Sequence, residues 1–107
     1  ADDRELYMEM IGMFVSGRDE EKGKIEAALH EGEAGGQWKL YVTGVHALKS
    51  TALTIGAKVL SEQARQLESA GKQGDTAFIQ AHHTAVMQLY DQVAEAGNMI
   101  IENEKQE

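Results

Sequence analysis

The chain contains no cysteine and no proline. Without cysteine there is neither a disulfide nor a thiolate metal site, and a reducing compartment suits such a chain. Without proline no internal position is denied its helical hydrogen bond, and the punctuation falls to the 11 glycines. That balance favours helices joined by short glycine-bearing turns over a sheet built from tight hairpins. Long apolar runs are missing too: the longest, around residues 10–15, is far too short to cross a bilayer. The opening Ala1-Asp2-Asp3-Arg4 is polar and lacks the order of a signal peptide. A first residue other than methionine, followed at once by a helical pattern, raises the expectation of a segment cut from a longer protein. Positive charge is also scarce. Ten Lys and Arg against 18 Asp and Glu leave a net charge of −8, which argues against nucleic acid because phosphate binding needs a basic surface. Part of the excess lies at the two ends (Asp2, Asp3, Glu5; Glu102, Glu104, Glu107), where it serves solubility.

What is present fits one globular domain over residues 1–107. The chain is 42% hydrophobic and 26% charged, and its length allows a single core but not two. A first helical segment is expected over residues 4–15, with Leu6, Met10, Met13 and Phe14 along one side. Ser16 followed by Asp19 resembles a capping box, so a second helix is expected from Arg18 to about Leu29, with Ile25 and Leu29 inward. After Gly32, Gly35 and Gly36, residues 37–52 carry the stripe Trp38, Tyr41, Val45, Leu48, Ala52 at spacings of three and four. A bend at residues 54–57 leads to a helix ending near Ala70, with Leu60, Ala64 and Leu67 inward. Gly71-Lys72-Gln73-Gly74 reads as a turn and Asp75 as the N-cap of a last helix reaching Glu102. Its stripe reads Ile79, His82, Val86, Leu89, Val93, Ala96, Ile100, a heptad spacing. The expected fold is therefore all-α: an antiparallel four-helix bundle with an additional short N-terminal helix.

The residue that stands out is His46. At 100° per residue it falls roughly 130° from the centre of its helix's apolar stripe, so it faces solvent. Lys49 and Ser50 share that outer region, as do Val42, Thr43 and Leu53. A neutral imidazole leaves one ring nitrogen free as a nucleophile. An ammonium one turn away cannot act as its base, but it can meet negative charge arriving on the ring, which is what a phosphoryl group brings.

The other histidines read as structural. His82 lies on the inward stripe and is expected to be a hydrogen-bonded core histidine, with His83 on the flank; His30 sits near a helix end, where a cation is favoured. The positions three residues before the four histidines are Ala27, Thr43, Ile79 and Gln80, so the Glu-x-x-His motif of a di-iron bundle is absent. The methionines of the first segment, Met8, Met10 and Met13, read as adaptable core filling. Gly44, mid-helix, reads as a site of close helix packing.

The spacing H-x-x-K is common by chance, but the longer string is not. Residues 46–57 read H-A-L-K-S-T-A-L-T-I-G-A and residues 58–68 read K-V-L-S-E-Q-A-R-Q-L-E. This resembles the histidine-containing phosphotransfer domain of multistep bacterial signalling, whose usual pattern is H-x-L-K-G-[SA]-[SA], a short spacer, G-A, and a helix ending in L-E. Ser50 stands where that pattern often has glycine, and serine is still small enough for close approach to the ring. The resemblance implies a phosphorelay carrier: His46 accepts a phosphoryl group from a receiver-domain aspartate through Nε2 and passes it to a second receiver, and Lys49 stabilises it. It implies docking on Val42, Thr43, Ser50 and Leu53, and response-regulator receiver domains as partners. No cofactor or metal is implied on this chain, since magnesium belongs to the receiver. It also implies that this domain is not an enzyme in its own right, contacts neither nucleic acid nor membrane, suffices as a monomer, and works in the cytoplasm, within a larger and sometimes membrane-anchored signalling protein. Two other readings stay open at this point. A histidine-kinase dimerisation domain also offers an exposed helical histidine, but usually places an acid directly after it, where this chain has Ala47. A purely structural, protein-binding bundle would carry His46 incidentally.

Overall fold

The structure, a computed structural model, describes residues 2–106. Glu107, counted above among the terminal acids, lies outside them. Four helices account for nearly all of these residues: α1 (Asp3–Gly35), α2 (Lys39–Thr54), α3 (Lys58–Gln73) and α4 (Thr76–Gln106). Among the described residues there is no strand, and no helix is long and apolar enough to cross a membrane.

The helix ends follow local chemistry. Asp2 accepts a hydrogen bond from the Glu5 backbone N–H at 2.8 Å and so caps α1. Gly36 closes that helix in the left-handed region (φ 73°), its N–H donating to the Gly32 carbonyl at 2.8 Å. At the α3–α4 junction Gly74 (φ 68°) does the same, and the Asp75 carboxylate accepts from the Phe78 N–H at 3.1 Å. The expected turn at residues 71–74 is thus shorter, because α3 continues through Gly71 and Lys72 to Gln73.

The expected division of the N-terminal third into two helices is corrected by the structure. α1 runs unbroken for 33 residues, and among the described residues there is no additional short N-terminal helix. Ser16 does not cap: its hydroxyl turns back onto the Met13 carbonyl at 3.3 Å, while Asp19 pairs with the Arg18 guanidinium at 2.8 Å. Nothing at residues 15–18 interrupts the backbone ladder. Glycine there costs about 1 kcal/mol in propensity, less than the continuous packing of α1 on both neighbours supplies.

α1 packs on α2 and α4, and α3 packs on the same two. The early residues of α1 meet the late ones of α4, as in Arg4–Glu104 and Arg18–Asp91, and Gln80 near the start of α4 reaches Glu33 near the end of α1. The stripe of α2 is buried as its spacing predicts, with Tyr41, Val45 and Ala52 wholly enclosed. So are Leu60, Ala64 and Leu67 of α3. The stripe of α4 is rotated from the expected one: Ile79 and Val86 are inside, but so are His83, Met87, Tyr90, Ala94 and Gly97. His82 is exposed, stacked on Phe78 with ring centroids 4.2 Å apart, and His83 takes the core position instead. On α1 the inward residues are Ile11 and Phe14 beside Ile25, whereas Leu6 and Met13 face out, Met13 at 74% exposure.

Two glycines set how closely the neighbours approach α2. A Cβ on Gly44 would stand 2.9 Å from Cγ1 of Ile25 on α1, and one on Gly71 of α3 would stand 2.6 Å from Cγ2 of Val42. α2 is therefore gripped on both sides, and its remaining face is held in a fixed orientation.

Candidate functional site

α2 and α3 are joined by a tight turn at Ile55, Gly56 and Ala57, in which Gly56 takes φ 84°. His46 lies ten residues before Gly56 and Glu68 twelve after it, so two helices folded back at that turn bring them to the same level. The sequence offered this signal, but only a knowledge of the pairing turns it into a contact. Ser61 and Glu68, two turns apart on α3, are the buried polar residues of that helix, and both face α2. The Ser61 hydroxyl donates to the Lys49 carbonyl at 2.9 Å, fixing the level of α3 against the site.

Glu68 organises the cluster. One of its oxygens, Oε2, lies 2.6 Å from His46 Nδ1, and the other, Oε1, accepts from Lys49 Nζ at 2.7 Å. Lys72 Nζ stands 3.6 Å from Oε2. Burial by itself opposes ionisation of this carboxyl, but the hydrogen bonds from Lys49 and then His46 outweigh it and hold its pKa down to about 2. At neutral pH Glu68 is a carboxylate, which can only accept. The proton in the His46 contact therefore sits on Nδ1, and in the neutral ring the lone pair is on Nε2. That nitrogen has no hydrogen-bond partner among the described residues, and the His46 side chain is 57% exposed.

Around the ring, Thr43, Ser50 and Leu53 are exposed, Leu53 at 59%. The Thr43 hydroxyl is turned back to the Lys39 carbonyl at 3.1 Å, which leaves its methyl outward. Val42 is half-buried, one methyl spent against Gly71. Lys49 is also half-buried and bound to Glu68 rather than extended into solvent. The residues singled out from the sequence thus share one face of α2. Glu68 was quoted there only as the end of a sequence pattern, and its contact with the imidazole is the feature that sequence reasoning missed.

The chain belongs to the Hpt family: the family's Hpt domain model matches residues 9–96. Hpt domains are histidine phosphotransfer carriers of two-component signalling; they interact with response-regulator receiver domains and have no catalytic ATP site of their own. No curated protein matches the chain. No solved structure matches it either.

Proposed function

We propose that this Hpt domain relays a phosphoryl group between two receiver domains on Nε2 of His46. The observation that carries the reading is the ionised Glu68 carboxylate 2.6 Å from Nδ1 of a half-exposed imidazole. It orients the ring, holds the proton on the inner nitrogen and leaves the outer one nucleophilic.

In the accepting step Nε2 attacks the phosphorus of a receiver's aspartyl phosphate. The N–P bond forms as the P–O bond breaks, and the receiver's carboxylate departs with the electron pair. Nδ1 keeps its proton, so the phosphorylated ring is cationic and lies against Glu68. In the donating step a second receiver's aspartate attacks the same phosphorus, and His46 leaves as neutral imidazole. Lys49, whose ammonium already sits one turn from the ring, is offered a second anion when the phosphoryl oxygens arrive and stabilises them. Val42, Thr43, Ser50 and Leu53 form the docking surface, an apolar and small-residue frame around a polar centre. The four antiparallel helices serve to keep α2 from rolling. Magnesium and the acidic pocket of the transfer belong to the receiver, and no metal or cofactor is required of this chain. The relay operates in the cytoplasm, with the domain acting as a monomer.

The test is label transfer. Incubated with labelled ATP alone, the domain stays unlabelled; incubated with a panel of phosphorylated receivers, it gains an acid-labile label from at least one. Labelling by ATP alone, or by none of the receivers, overturns the reading.

A further inference from the structure

α1 and α4 run for 33 and 31 residues, α2 and α3 for 16 each. At 1.5 Å per residue the long pair is about twice the length of the short pair, and the molecule measures 50 Å along one axis but only 19 × 18 Å across. At one end the elements finish together, where Gly32 meets the Trp38 ring and Gly74 starts the turn into α4. The surplus therefore lies at the other end, where residues 3–12 of α1 and 97–106 of α4 project beyond the α2–α3 turn. They hold each other closely there: a Cβ on Gly97 would stand 3.0 Å from Val15 and 3.1 Å from Ile11. Over this overhang the bundle is two helices, not four. Ten residues make a shelf about 15 Å long, room for two to three turns of another helix.

The shelf keeps the inward character of the helices that form it. Among the described residues, every large hydrophobic side chain left exposed except Leu40 lies toward this end of the molecule. Leu6 is 51% exposed and Ile100 43%, with Met13 on the same helix as Leu6 and Val59 at the edge of the turn; Met99, also exposed, points to the outer side of α4. Leu6, Met10 and Met13 prolong the side of α1 that lower down faces α2, and Ile100 prolongs the side of α4 that faces α3. Midway along the shelf Tyr7 reaches back to the turn, its hydroxyl donating to the Ile55 carbonyl at 2.9 Å. A two-helix layer with an apolar face is the half of a packing arrangement that calls for a second layer.

Charge selects what that layer is. Residues 2–10 and 95–106 carry seven acidic side chains against two basic ones. Both bases are already engaged, Arg4 with Glu104 and Lys105 with Glu102. A second copy of this chain would set acid against acid, and an anionic bilayer would be repelled likewise. We propose that the α1/α4 overhang is a docking shelf for a basic amphipathic helix of a partner protein, distinct from the surface around His46. Its apolar stripe seats on Leu6, Met10 and Ile100, and its lysines or arginines face the acidic rim.

The experiment titrates the isotope-labelled chain with a helical leucine–lysine peptide, and separately with its leucine–glutamate counterpart, following backbone NMR shifts. The expected result is binding of the lysine peptide, with shifts at residues 3–13 and 96–106, weakened tenfold or more by Leu6→Asp with Ile100→Asp. Both sites are exposed, and circular dichroism checks that the double variant is folded; Leu6→Ser alone gives a milder second probe. The aspartates add negative charge, so attachment by charge alone would tighten. Tighter or unchanged binding by the double variant, equal binding of the glutamate peptide, or shifts centred on His46 overturns the proposal. So does a dimer of the unliganded chain that the variant dissociates, since the shelf would then be filled by a second copy. Phosphoryl transfer from a receiver is expected to be unchanged in the double variant; its loss would make the shelf part of the receiver interface and overturn the separation drawn here.

Discussion

His46 and His83 are two versions of one motif. Each imidazole places one ring nitrogen against a glutamate of another helix, His46 Nδ1 on Glu68 at 2.6 Å and His83 Nε2 on Glu26 at 3.1 Å. They differ at the other nitrogen. In His83 it is filled by the Tyr41 hydroxyl at 2.8 Å, inside a core where the ring is 3% exposed. Burial first, and the Glu26 charge second, push the Tyr41 phenol well above its ordinary range, so it stays protonated and donates. With an acceptor on one side and a donor on the other, His83 has no lone pair to offer and clips α1, α2 and α4 together. In His46 the corresponding nitrogen is left to solvent. The comparison teaches that a carboxylate partner alone does not leave a histidine free to react; a second nitrogen open to water is needed as well.

The sharpest way to break this contrast is His46→Gln. It is expected to abolish the acid-labile label from every receiver while leaving the helical content and melting temperature close to the parent's, as befits an exposed position. Surviving label would move the acceptor elsewhere.

Glu68→Gln keeps the shape of the contact but removes its charge. The difference between a charge-assisted and a neutral hydrogen bond predicts transfer slower by about tenfold. The same variant tests the acid limb of stability. Because the folded-state pKa of Glu68 is depressed to about 2 from an ordinary value of 4.5, its contribution is fully present above the unfolded-state pKa and is lost as pH falls toward 2. Denaturant melts between those two pH values should therefore decline more steeply for the parent than for Glu68→Gln. Parallel curves would show that the cluster does not hold the carboxylate ionised.

Lys49→Ala comes next. A partly exposed ion pair contributes about 0.2–1 kcal/mol, so transfer should slow, or the phosphohistidine lifetime shorten, by at most about fivefold. An unchanged rate and lifetime would remove Lys49 from the chemistry. The smallest effect on transfer is expected from Tyr41→Phe. It leaves a buried acceptor on His83 without its donor, which should lower stability by about 1–3 kcal/mol in chemical denaturation. Transfer per folded molecule should stay constant. A matching fall in transfer would mean that the buried histidine also governs the exposed one.

Much of α2 and α3 was legible because their stripes have only one solution. Trp38, Tyr41, Val45, Leu48 and Ala52 satisfy a helical period with no competing set, and all five are buried. α4 was harder. Positions 79, 82, 86, 89, 93 and positions 79, 83, 86, 90, 94, 97 both satisfy a heptad-like spacing, and hydropathy alone prefers the first because it contains Leu89 and Val93. The structure takes the second, since His83 and Tyr90 can be buried once their polar ends find partners or reach the edge, and Gly97 admits α1. The division of α1 was misread for a related reason. Ser16 and Asp19 have the composition of a cap, but a cap forms only where the backbone ladder stops, and packing on two neighbours carries this one through.

The periodicity of small and apolar residues, the absence of proline and the string around His46 were enough by themselves to determine helices, an outward imidazole and the family to which it belongs. Those are properties of one helix and its immediate neighbours in the chain, set by the 100° turn per residue. The tertiary structure alone decided that Glu68 stands behind that imidazole, that His83 and not its neighbour enters the core, and that two helices outrun the other two. Each of these depends on which residues of different helices share a level, and local spacing carries no record of that.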